Sequence, residues 1–170
     1  MTYRTRTYIA ADWDIDDDLV GALQNWNESS YWALSFPDAH ELAQARDSSK
    51  ACSIKKSLRL RLEASKAFVL IVGRQTSSLR KGSCQYCPSY SGWCRRGYSA
   101  STKSFIEYEC EYAEKNGLKI VVLYNMAKVD RSLCPEAVRY TGNHLSAWRY
   151  DASDGKFYWD YPSIKSAIEA

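Results

Sequence analysis

The stretch 103–119, "KSFIEYECEYAEKNGLK", holds a carboxylate that its own pattern does not explain. Wound as a helix at about 100° per residue, it gathers Phe105, Ile106, Tyr108, Tyr112 and Ala113 into one arc. Glu107, Glu111, Glu114 and Lys115 fall outside that arc. Glu109 falls inside it, one turn from both Phe105 and Ala113. A carboxylate with an apolar and aromatic surround acts in a lower effective dielectric, so its field counts for more. Such a group could stabilise positive charge that develops during a reaction. It could equally be a structural acid paired with an arginine or lysine, or a boundary glutamate whose end reaches water.

Other residues with chemical capacity are fewer. "ADWDIDDD" places Asp12, Trp13 and Asp14 directly after an apolar run; Asp16, Asp17 and Asp18 then suit the first turn of a helix, where the dipole favours acids. Arg74 and Gln75 follow another apolar run and could meet a pyrophosphate or an amide, or simply lie on the surface. Cys84, Cys87 and Cys94 cluster and would suit three zinc ligands, with Cys110 or water as the fourth. No second Cys-x-x-Cys pair completes that pattern, so zinc stands behind plain loop cysteines. Cys52, Cys110 and Cys134 are isolated and read as structural. The two histidines, His40 and His144, have no convincing nucleophile near them in sequence.

Strand and helix signals alternate along the chain that must position these groups. "TRTYIAA" reads as a strand, "DDLVGALQNW" as a helix, "YWALSF" as a second strand closed by Pro37, and "SIKKSLRLRLEAS" as a helix with Ile54, Leu58 and Leu62 in one stripe. "KAFVLIVG" is the clearest central strand, short, continuously apolar and ended by Gly73. The Glu109 helix ends at Asn116 and Gly117, "LKIVVLYN" is another buried strand, "HLSAWRY" a short fifth, and "YPSIKSAIEA" a final helix with Pro162 near its start. This order implies one α/β domain over 1–170: a flavodoxin-like three-layer sandwich, with a five-stranded, mostly parallel sheet and helices on both faces. A polar segment at about 77–103 stands out as a loop insertion. Ligands in such folds bind beyond the carboxyl ends of the strands, here 11–14, 73–76 and 124–127.

Composition narrows the function classes. The 170 residues are 45% apolar and 25% charged, as in an ordinary folded domain. A net charge of only +3, spread along the chain, gives no electrostatic case for nucleic acid. No signal-peptide pattern opens the sequence, and "AFVLIVG" and "IVVLY" are too short to span a bilayer, which points to a cytoplasmic protein with reduced cysteines and no membrane partner. A flavin phosphate loop is excluded by the acidic "DWDIDDD", a receiver domain by the lack of a phosphoacceptor Asp in "GRQTSS", and GxGxxG, P-loop lysine and GxSxG motifs are absent.

Taken together, "YIAADWDIDDDL", "AFVLIVGRQT", "FIEYECEYAEKNGLKIVVLYN" and "CPEAVRYTGNHLSAWRYD" resemble the bacterial TIR-like proteins, including the TIR component of Thoeris antiphage defence. The resemblance covers most of the chain except 77–103. It implies a TIR-like sandwich and an enzyme that takes NAD as substrate, with no bound cofactor, cleaving the nicotinamide–ribose bond to make an ADP-ribose-derived signal, cyclic or conjugated. The family's essential glutamate stands in an aromatic-x-x-x-Glu setting, which "FIEYE" carries with Phe105 where many members have Trp and Glu109 as the glutamate. Under this reading Asp12 or Asp14 holds ribose hydroxyls, and Trp13, Tyr108 or Phe105 stacks on nicotinamide. A separate effector responding to the diffusible product, a phage-derived trigger and a homo-oligomer are the implied partners. The alternatives are a non-catalytic TIR-like module that binds a nucleotide or self-assembles, and a metal-dependent nuclease using Asp12, Asp14 and Glu109. Within 77–103, Arg80, Lys81, Arg95 and Arg96, with Tyr86, Tyr90, Trp93 and Tyr98, could form a lid over an anionic nucleotide or dock a protein.

Overall fold

The computed structural model describes residues 5–34, 37 and 50–170. Four strands form a parallel sheet in the order β1 (Arg6–Ala10), β2 (Ser65–Val72), β3 (Lys119–Tyr124) and β4 (Asn143–Ser146). Its two central strands are the continuous apolar runs of the sequence, and from Ala67 to Val72 β2 is buried at every residue. That is the pattern demanded of a strand covered on both faces.

The covering follows the strand's two-residue period. Tyr8, Ala10, Phe68, Leu70, Val72, Ile120, Val122 and Tyr124 pack with Leu58 and Leu62 of α2 (Ala51–Glu63) and Ile106, Cys110 and Ala113 of α3 (Phe105–Lys115). Ile9, Val69, Ile71, Val121 and Leu123 point the other way. They meet Leu19, Val20, Leu23 and Trp26 of α1 (Asp17–Glu28) and Ile164, Ala167 and Ile168 of α4 (Tyr161–Glu169). The layers are therefore helix, sheet, helix, as alternation of side chains in β-strands requires.

Two expectations change. "YWALSF" does not open as a strand: residues 31–34 form a turn in which Ala33 has φ 49°, its N–H donating to Ser29 O at 2.8 Å. Residues 35 and 36 lie outside the described residues. The carbonyl of Pro37 accepts from Thr7 N–H at 2.9 Å, so the chain does return to the outer edge of β1. The sheet among the described residues has four strands, not five. "HLSAWRY" also divides. His144–Ser146 joins β4, whereas Trp148–Asp151 (β5) pairs antiparallel with Lys156–Trp159 (β6) in a separate hairpin. The division falls at Ser146, whose single hydroxyl proton has Met126 O at 2.6 Å and Trp148 O at 2.8 Å as acceptors within reach, and whose Oγ accepts from Trp148 N–H at 3.1 Å.

The loops that leave β1, β3 and β4 are tied together by one polar network. Asn125 donates from Nδ2 to Asp16 Oδ1 at 3.0 Å and to Asp18 Oδ1 at 2.9 Å, and accepts from Trp148 Nε1 at 3.1 Å. Asp16, expected to be a helix-start residue, is buried, and burial raises its pKa. Its carboxylate lies where a side chain on Gly73 would be. Gly73→Ala should therefore destabilise the protein by about 1–3 kcal/mol by displacing Asp16. Gly21→Ala, inside α1 with no neighbour near the added methyl, should stabilise it by about 0.5–1 kcal/mol. Urea titration of both variants checks this pair of opposite signs.

Candidate functional site

Helix α3 begins with a complete capping box. Ser104 Oγ accepts from Glu107 N–H at 3.2 Å, and Glu107 Oε2 accepts from Ser104 N–H at 2.7 Å. Glu111 pairs with Lys103 and, at 3.6 Å, with Lys115 on the solvent side. Both neighbours of Glu109 are thus accounted for by the helix itself. Glu109 is not: it is buried on the face that turns towards β1 and α2, where the hydroxyl of Tyr8 donates to its Oε1.

Glu109 is on the wall of a cavity of about 260 Å³ at the carboxyl end of β1. Asp12, Trp13 and Asp14 line it from the loop after β1, Ile54, Leu58 and Arg61 from α2, Leu79 and Lys81 from the following loop, and Ser104, Phe105 and Ile106 from the start of α3. Asp12 closes its own loop: Oδ1 accepts from Asp14 N–H at 3.1 Å, and its carbonyl accepts from Asp16 N–H at 2.8 Å. Trp13 lines the cavity and is 42% exposed.

Of the residues singled out in the sequence, Glu109, Asp12, Trp13, Asp14 and Phe105 come together here. Arg74, Gln75 and Tyr108 do not line the cavity. Arg74 and Gln75 are exposed beyond β2, because the chain turns away through the short 3-10 turn Thr76–Ser78. Tyr108 faces a different groove, with the Lys55 ammonium 5.7 Å from its ring centre. Tyr8, Arg61 and Lys81 were not read as members of the site around Glu109. His144 has both ring nitrogens engaged, Nδ1 with Tyr124 Oη at 3.0 Å and Nε2 with the carbonyls of Val138 and Thr141 at 3.1 Å. His40 lies outside the described residues. Among the described residues no three His, Cys, Asp or Glu side chains are arranged to hold a metal ion as they stand.

Residues 8–81 match the family model described as Thoeris protein ThsB, TIR-like domain. That stretch is similar to the Thoeris-type TIR-like domain. No curated protein matches the chain. The Thoeris match takes in Tyr8, Asp12, Trp13, Asp14, Arg61 and Lys81, and ends before α3, so the Glu109 wall of the cavity is joined to the TIR-like part by the fold alone. A TIR-like domain is consistent with the parallel sheet flanked by helices, and the Thoeris family suggests a role in antiphage defence. Among the described residues no helix is long and apolar enough to cross a membrane.

Burial pushes the Glu109 carboxyl up to about 7, opposed by the Tyr8 hydrogen bond and the positive charge of Arg61. A carboxyl that binds its proton more tightly folded than unfolded stabilises the fold fully below its unfolded pKa, and loses that contribution as pH rises to the folded value. The window is therefore about pH 4.5–7, and the loss roughly 3 kcal/mol. Glu109→Gln should flatten the pH dependence of unfolding free energy across this window, which urea titrations at a series of pH values would measure.

Proposed function

We propose that the protein is an NAD-consuming enzyme that cleaves the bond between nicotinamide and ribose, within an antiphage defence system. The supporting observation is the desolvated Glu109 carboxyl on the wall of a cavity at the strand ends, with flat apolar surfaces from Trp13 and Phe105 and further carboxylates from Asp12 and Asp14.

The chemistry follows from where charge appears. As the C1′–N bond breaks, its electron pair leaves with nicotinamide and the ribose becomes oxocarbenium-like. A carboxylate fixed beside that carbon stabilises the positive charge without having to reorganise. Glu109 does this in its ionised form, which the Tyr8 hydroxyl and the Arg61 charge favour against burial. Trp13 and Phe105 offer faces to the nicotinamide ring, and Asp12 or Asp14 accepts hydrogen bonds from ribose hydroxyls. At about 260 Å³ the cavity suits the nicotinamide–ribose end of the dinucleotide, with the remainder lying across the mouth, where Lys81 can meet the pyrophosphate. Capture of the ribose by water gives ADP-ribose, and capture by another nucleophile gives a cyclic or conjugated product. In this reading the product diffuses in the cytoplasm to a separate effector, and a phage-derived trigger raises the activity.

Purified protein, with and without lysate of phage-infected cells, should release nicotinamide from NAD, detectable by mass spectrometry. Glu109→Gln should lower that release by at least about 100-fold. NAD binding with no turnover in any condition would favour a nucleotide-binding module instead, and unimpaired release by Glu109→Gln would remove Glu109 from its role. Because ionised Glu109 is the active form, activity should rise with pH through about 7. Tyr8→Phe removes a hydrogen bond that lowers the Glu109 pKa, so the same rise should move to higher pH in that variant.

A further inference from the structure

The insertion between β2 and α3 has no aliphatic core, and its largest apolar side chains, Tyr86, Trp93 and Tyr98, are 60–66% exposed. It nevertheless follows a defined path. Lys50 Nζ reaches Ser89 Oγ at 2.9 Å, Cys84 N–H donates to Ser101 O at 2.8 Å, and Tyr90 and Cys94 form an antiparallel bridge. At its centre is a small space of about 10 Å³, room for a single water-sized body, lined by Cys84, Cys87 and Cys94 and by Cys52 of α2. All four are free thiols.

We propose that Cys52, Cys84, Cys87 and Cys94 form a tetrathiolate site for one soft divalent metal ion, with zinc the best fit. The fourth ligand is then Cys52, not Cys110, which is buried in the core against the sheet. The turns suit such a site. Cys84 and Cys87 bracket a 3-10 turn closed by Cys87 N–H to Cys84 O at 2.9 Å. Cys94 opens a second turn closed by Gly97 N–H to Cys94 O at 2.9 Å, with Gly97 at φ 77°, where a side chain would be strained. The backbone N–H groups of Arg96 and Tyr98 donate to Cys94 Sγ, the kind of outer contact that supports a metal thiolate. Lys50 lies near Cys94, and Lys55 near Cys84 and Cys52, so cations stand beside what would be a net negative cluster.

Binding releases the thiol protons to solvent and draws the four sulfurs inward, to about 2.3 Å from the ion. For a segment too polar to fold on hydrophobic burial, such a clasp supplies the missing stabilisation. Protein purified under reducing conditions without chelator should carry about one zinc per chain by elemental analysis. Replacement by cobalt(II) should give the charge-transfer and visible bands of a tetrahedral tetrathiolate. Alkylation mapped by mass spectrometry should find Cys52, Cys84, Cys87 and Cys94 protected until a chelator is added, in the wild-type chain and without relying on any variant folding. Cys52→Ser and Cys87→Ser should each reduce the cobalt–thiolate absorbance, whereas Cys110→Ala should leave it intact. A protein that takes up no metal, disulfides among these four cysteines, or a chelator-sensitive set lacking Cys52 would overturn the proposal.

Discussion

The contest between burial and ionisation at Glu109 sets what the rest of the structure must do. Desolvation alone would keep the carboxyl protonated; the Tyr8 hydroxyl and the Arg61 guanidinium pull the other way. Those two groups come from β1 and α2, so the carboxyl can be tuned only where strand and helix are both packed against α3. Cys110 and Ala113 bury the same helix face against the sheet, and the Ser104–Glu107 capping box fixes where the helix starts. A helix rotated by one residue, about 100°, would trade Glu109 for Tyr108 or Cys110 and lose the site. The result is a carboxyl whose pKa is pushed up to about 7, because burial outweighs the two opposing groups.

The second constraint is at the strand ends. Asp16, Asn125 and Trp148 join the loops that leave β1, β3 and β4, and Gly73 makes room at the end of β2. Asp16 turns its side chain to Asn125, and α1 begins without a side-chain cap. That concession positions the preceding residues. With Asp16 N–H on Asp12 O and Asp14 N–H on Asp12 Oδ1, the Asp12–Asp14 turn is a hydrogen-bonded loop that lines the cavity. The network and the cavity therefore lie on either side of one loop, and a disturbance of the first reaches the second through two hydrogen bonds.

The layered fold was legible because its signals are local and repeated. Continuous apolar runs mark β2 and β3, and three- and four-residue spacing marks α2 and α3. Residues 31–34 misled because aromatic content alone suggested a strand, whereas the chain turns there after α1. The β5–β6 hairpin was overlooked although Asp154-Gly155 sits between two aromatic runs, with Gly155 at φ 71°. The logic that picked out Glu109 would also have found Arg61, which falls seven residues after Ile54 and three after Leu58, inside the apolar stripe of α2. Tyr8 was harder to see, because nothing in an alternating strand says what a buried phenol must bond to. Arg74 and Gln75 were placed by position after a strand, but the 3-10 turn that carries them away has no strong local signature.

The two ends of the insertion meet beside the cavity, and this links an otherwise peripheral segment to the site. Phe105 N–H donates to Lys81 O at 2.9 Å, and Gly82, at φ 98°, packs so closely on the Phe105 ring that a side chain there would overlap it. Lys81 and Phe105 both line the cavity, so its wall on that side is the base of the insertion. A segment whose outer part exposes Tyr86, Trp93 and Tyr98 gains little from burial, and its order rests on backbone turns and on whatever closes its four-cysteine centre. Only a short stretch of backbone, Lys81 to Cys84, separates this wall of the cavity from the first of the clustered cysteines.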